Sequence, residues 1–138
     1  MTSTRHIAWL LALLLLLLGC STNQAAVDPV WGKQPCDHCH MLLSDPGTAA
    51  QLLSVDGERL YFDDVGCLVE RIARDASSVG RIWVRDARGV WIDARRARYR
   101  TGARTPMGYG VQVSADGDLD FAAVQRELAH TPYAEQTP

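Results

Sequence analysis

The chain has 138 residues, with 14 basic and 16 acidic side chains for a net charge of −2, and 47% of its residues are hydrophobic. There is no basic excess of the kind that grips a polyanion, so no nucleic-acid partner is expected. The length suits one small domain or two very small packed units.

In chain order, Arg5 and His6 precede an apolar run from Ile7 to Leu18 that ends in Leu17-Leu18-Gly19-Cys20. A spanning helix needs about 20 apolar residues, so this shorter run reads as the apolar region of an export signal. A cysteine directly after Leu-Leu-Gly resembles the bacterial lipobox. There the cysteine becomes the mature N-terminus and carries palmitate-type acyl chains, enough for stable anchoring. The expected organisation is a lipoprotein signal at 1–19, a lipidated tether at 20–30, a folded domain at 31–130 and a flexible tail at 131–138. That places the protein at a membrane, facing the periplasm. Ser21 after the lipid cysteine favours the outer membrane.

Within the folded part an α+β class is expected, with a strand-turn-strand-helix unit built twice. In the first unit, Ala49 to Val55 is a strand, Asp56-Gly57 a hairpin turn and Leu60-Tyr61-Phe62 the return. Asp63 and Asp64 then cap a helix on which Cys67, Leu68 and Ile72 share one face. The second unit runs through a strand at Tyr109 to Val113, a turn at Asp116-Gly117-Asp118, a return at Leu119 to Phe121 and a helix to Ala129. Each unit opens with a methionine, Met41 or Met107. A central strand pair, Arg81 to Asp86 and Val90 to Asp93, joins the two. Arg95, Arg96, Arg98, Arg100 and Arg104 form the one basic cluster, either a solvated face or a docking surface for an acidic partner.

The densest chemistry is Pro35-Cys36-Asp37-His38-Cys39-His40-Met41. Cys-x-x-Cys lets a tight turn aim two sulfurs at one point. On an extended backbone, Cys39 and Met41 would share a side, which would make Cys39 a more important donor than Cys36. Three uses compete. A structural zinc site needs two further ligands, with no second Cys-x-x-Cys or His pair downstream. A redox pair acting through Cys36 and Cys39 belongs at the start of a helix, whereas strands follow here. A soft-metal site for Cu(I) would combine thiolate and thioether donors, with Met107 recruited from the Pro/Gly turn Thr105-Pro106-Met107-Gly108-Tyr109-Gly110. The neighbouring imidazoles, His38 and His40, suit several metals. Cys67, inside an apolar helical pattern, reads as a small buried hydrophobe. No nucleophile-base pair or phosphate loop is evident, so no enzyme is expected.

Cys36-x-x-Cys39-x-Met41 followed by Leu42-Leu43-Ser44-Asp45-Pro46 resembles the NosL family, accessory lipoproteins of nitrous oxide reductase. So do Phe62-Asp63-Asp64-Val65-Gly66-Cys67-Leu68, Trp91-Ile92-Asp93-Ala94 and Thr105-Pro106-Met107-Gly108-Tyr109-Gly110, in order. The resemblance implies a Cu(I) chaperone of denitrification. Its partners would be copper and nitrous oxide reductase or its assembly machinery. It also implies two treble-clef-like ββα units and a Cys-Met-His type donor set. Cys39, Met41 and Met107 match family positions, and Cys36, His38 and His40 complete the candidate metal ligands, with Cys20 as the lipidation site.

Overall fold

A computed structural model describes residues 24–130. The expected signal at 1–19, the lipidation site Cys20 and the tail at 131–138 lie outside the described residues. Strand β1 (Ala50–Ser54) turns at Asp56-Gly57 into β2 (Arg59–Phe62). Gly57 has φ +88°, the left-handed conformation that such a tight turn assigns to glycine. Asp64 stops the strand and starts α1 (Val65–Arg74): its carboxylate accepts the Gly66 N–H at 2.9 Å, satisfying one of the free donors of the first turn. Val65, Cys67, Leu68, Val69 and Ile72 are the buried apolar side chains of this helix.

After a short 3-10 turn (Ala76–Ser78), β3 (Val79–Arg85) returns alongside β1, and β4 (Trp91–Asp93) folds back on β3. The result is a four-stranded antiparallel sheet in the order β2-β1-β3-β4. The expected central strand pair is therefore present, but it extends the sheet of the first unit instead of standing between two units. Strand alternation separates the faces. Ala50, Leu52, Leu60, Phe62, Ile82 and Val84 share the face that holds the core. On the other face Arg59 stacks on Trp83, and Arg85 lies over Trp31 at 4.9 Å and Trp91 at 5.6 Å from the ring centroids.

The N-terminal segment is tied to that second face. The Gln51 side chain accepts from the Val27 N–H and donates to the Val27 carbonyl, both at 3.1 Å, imitating a strand pair. Asp28 accepts from the Trp91 indole at 2.7 Å and faces Arg85 at 3.5 Å. The stretch expected as tether is thus part of the folded unit from Val27 onward.

The second expected unit is built differently. Strand β5 (Tyr99–Arg100) pairs with β6 (Gln112–Val113) on one side, and Tyr99 bridges Leu119 on the other. The two strands expected to pair with each other are separated by Tyr99. Helix α2 (Phe121–Ala129) follows, capped by Asp120, which accepts the Ala123 N–H at 2.7 Å. Tyr99 is fully buried, donates its hydroxyl to the Ala94 carbonyl at 2.7 Å and packs on Phe121. Helices α1 and α2 touch, closing a mixed α+β core. Among the described residues no helix is long and apolar enough to cross a membrane.

Candidate metal centre

The Cys-x-x-Cys segment forms a closed turn. Pro35 and Leu42 bridge as the base of a small antiparallel loop. The Cys36 N–H donates to the Met41 carbonyl at 2.7 Å, and the His40 N–H donates to the Cys36 carbonyl at 3.0 Å. His40 reverses the chain at φ +64°, the only non-glycine residue with positive φ among the described residues. Histidine tolerates this region better than branched side chains do, though less freely than glycine. The loop is pinned to β2, where the Asp37 N–H donates to the Tyr61 carbonyl at 2.8 Å and the Asp37 carboxylate accepts the Tyr61 N–H at 2.6 Å.

Helix α1 brings a third sulfur to this turn. Cys67 sits in its first turn, fully buried, and Gly66 before it lets the helix end lie against Tyr109. A methyl group at Gly66 would fall 2.0 Å from the Tyr109 ring. The sulfurs of Cys36, Cys39 and Cys67 all lie within 4.8 Å of one another, and none is in a disulfide. Three thiols at this spacing can hold one metal ion. At that spacing no histidine or carboxylate joins the group among the described residues.

The three thiols are not equivalent. The Cys67 thiol donates to the Cys36 sulfur, which pulls the Cys36 pKa down, and backbone N–H groups of Cys39, Asp63 and His38 act in the same direction against the cost of burial. Cys67 is correspondingly pushed up, by the neighbouring Cys36 sulfur first and by burial second. Burial raises Cys39 as well, and its proximity to Cys36 adds to the effect, while the Met41 N–H opposes it. Of the three, Cys36 is therefore the thiol most inclined to ionise, while Cys39 and Cys67 are held toward the protonated form. The sites also differ in access: Cys36 and Cys67 are sealed, whereas Cys39 is half-buried at the rim.

The remaining candidate ligands occupy varied positions. Met41 is 60% exposed, and it is its backbone N–H that serves the Cys39 sulfur. The closed turn explains this, because Cys39 and Met41 are not on an extended strand and do not share its side. His40 is exposed. His38 is half-buried, and its Nδ1 is buried without a hydrogen-bond partner. Burial first, and the Arg74 charge second, lower its pKa and favour the neutral imidazole. Met107 is half-buried against the core, with its N–H donated to the Asp64 carboxylate at 3.2 Å. The same carboxylate that caps α1 therefore fixes the Met107 turn beside the helix end that carries Cys67.

Sequence reasoning assigned Cys67 to the core, where it lies, but did not place it beside the other two sulfurs. The odd number of cysteines after Cys20 was the available signal. Fold and site together define a small α+β protein with a three-cysteine cluster able to bind metal. Comparison with protein-family models, with curated proteins and with solved structures gave no match.

Proposed function

We propose that this protein is a Cu(I)-binding chaperone, exported and lipid-anchored through Cys20, that supplies copper for assembly of the copper centres of nitrous oxide reductase. The observation that carries the metal part is the convergence of Cys36, Cys39 and Cys67. An all-sulfur donor set selects soft and borderline ions such as Cu(I) and Zn(II) over hard ones, and the resemblance below favours Cu(I) between them. The resemblance of the Cys-x-x-Cys-x-Met, Phe-Asp-Asp-Val-Gly-Cys and Thr-Pro-Met-Gly-Tyr-Gly segments to the NosL family supports the client. The order of knuckle-like turn, hairpin and helix bearing the third cysteine supports a treble-clef-like reading of the first unit.

Copper here is cargo. The Cys36 thiolate offers a ready first donor, and Cys39 and Cys67 lose their protons as they bind. Cys39 at the rim is where an incoming donor from the client exchanges with the ion. Met107, whose turn Asp64 fixes beside the helix end that carries Cys67, and His38, next to Cys39 in the chain, are candidates to complete or replace a thiolate during transfer. Because raised thiol pKa values make protons compete with the metal, affinity falls as pH falls through the neutral range, and binding releases protons.

The test is titration of the full chain with Cu(I) under reducing conditions against a competing chelator, alongside Zn(II) and a thiol-exchange assay. Tight one-to-one Cu(I) binding with proton uptake on removal supports the proposal. Preference for Zn(II) would make the cluster a structural zinc site. Rapid disulfide exchange through Cys36 and Cys39 without copper affinity would make the protein a thiol-disulfide oxidoreductase.

A further inference from the structure

The arginines are unevenly placed. Arg88, Arg95, Arg96, Arg98, Arg100 and Arg104 fall in one stretch in which Asp93 is the only carboxylate, although the whole chain is net negative. Four of them, Arg88, Arg96, Arg98 and Arg100, line a single recess of about 460 Å³. Ile92 and Val113 contribute apolar walls to this recess, which shares no residue with the cysteine cluster.

The guanidinium groups are only partly committed. Arg98 is held by the carbonyls of Gly117 at 3.1 Å and Asp118 at 2.6 Å, so it is a fixed part of the wall. Arg88 pairs with Asp86 at 2.8 Å while remaining 80% exposed. Arg100 reaches Gln112 at 3.5 Å. The Arg96 side chain has no hydrogen bond or ion pair among the described residues.

We propose that this recess docks an acidic segment of a partner protein, with carboxylates on Arg88, Arg96 and Arg100 and the chain lying against Ile92 and Val113. Planar guanidinium forks match carboxylates in two parallel hydrogen bonds, a geometry that a lysine ammonium does not offer. The single lysine of the chain, Lys33, lies elsewhere. A concave wall with apolar sides fits a polypeptide that brings side chains into it, whereas a flat bilayer would meet a convex basic surface. Charge complementarity of this kind speeds encounter and fixes register more than it adds affinity. The proposal does not depend on which metal the cysteines hold.

The probe is a fluorescently labelled oligoglutamate peptide, followed by anisotropy with the full chain. The double variant Arg96→Gln/Arg100→Gln should bind about ten-fold more weakly or worse, and wild-type binding should weaken steeply with salt. The control double variant Arg81→Gln/Arg126→Gln removes the same charge elsewhere and should bind like wild type. Neither Arg96 nor Arg100 supports the core, and an unchanged thermal midpoint confirms that folding is intact. Equal losses in the two double variants would mean diffuse attraction and overturn the site. Binding to phosphatidylglycerol vesicles with none to the peptide would overturn the polypeptide in favour of a membrane surface.

Discussion

Replacing Cys67 by alanine separates a three-sulfur site from a two-sulfur one. The hydrogen bond from the Cys67 thiol is the largest influence lowering the Cys36 pKa. A hydrogen bond to a charged acceptor contributes about 1.5–3 kcal/mol, and each pKa unit corresponds to about 1.4 kcal/mol. Cys67→Ala should therefore raise the Cys36 pKa by about one to two. The small side chain leaves little void, so the cost in fold stability should be about 1 kcal/mol. Cu(I) affinity should fall by far more, about a hundred-fold, because a donor is lost and the first donor becomes harder to deprotonate. The thiolate absorbance band in the ultraviolet, followed against pH, reports the first effect, and chelator competition reports the second. If Cys67→Ala retains wild-type copper affinity and an unchanged thiolate titration, Cys67 is a buried hydrophobe and the three-sulfur reasoning is wrong.

Gly66→Ala should destabilise the protein by about 3 kcal/mol, since the added methyl meets the Tyr109 ring at 2.0 Å in a close-packed interior; denaturant unfolding measures it, and a neutral result would mean that the Tyr109 ring gives way freely. Met107→Ala should weaken Cu(I) binding while lowering stability by only about 1 kcal/mol, given its half-buried place against the core. Wild-type affinity with a large fall in thermal midpoint would assign Met107 to packing alone. Cys20→Ala should yield protein that no longer partitions into detergent, and intact mass is decisive, because a lipid-bearing mutant would rule out that anchor.

Much of the first unit was legible because its signals are local. Asp56-Gly57 dictates a tight turn, Asp64 stands where a helix needs a capping acceptor, and Cys67, Leu68 and Ile72 fall on one helical face. The Cys-x-x-Cys turn was legible too, but the extended path assumed beyond Cys39 was not, because His40 takes a conformation usually left to glycine. The second unit failed for a tertiary reason. The chain does reverse here, in a turn over Ser114–Gly117 one residue earlier than expected, yet Gly117 lies against the Tyr99 backbone, where a Cβ would sit 2.3 Å from the Tyr99 carbonyl oxygen. A turn signal says that the chain reverses; it does not say whether another strand runs between the two arms. The position of Cys67 beside the other two sulfurs was hidden for a related reason. Periodicity identifies the buried face of a helix, but whether a buried sulfur meets leucine or another sulfur depends on what a distant loop brings to it.

The last consequence concerns which thiol of the Cys-x-x-Cys pair matters more. An extended backbone would favour Cys39, through its partnership with Met41. The closed turn leaves Met41 largely in solvent and surrounds Cys36 with donors: the Cys67 thiol and the N–H groups of Cys39, Asp63 and His38. Once Cys67 gives up its proton to the metal, the N–H groups of Cys39, Asp63 and His38 would still hold a metal-bound Cys36 thiolate, so on the copper proposal Cys36 would be the anchor and Cys39 the exchanging ligand at the rim. Cys36→Ser should abolish tight Cu(I) binding, because the buried hydroxyl stays protonated and is a poor soft-metal donor. Cys39→Ser should keep measurable binding, weaker by about ten- to a hundred-fold, and should hand copper to a chelator faster than wild type. Stopped-flow transfer to a chromophoric chelator, with equilibrium competition on the same proteins, reads both quantities. Slower transfer from Cys39→Ser, or the greater loss of affinity in that variant, would reverse the two roles and return Cys39 to the centre of the site.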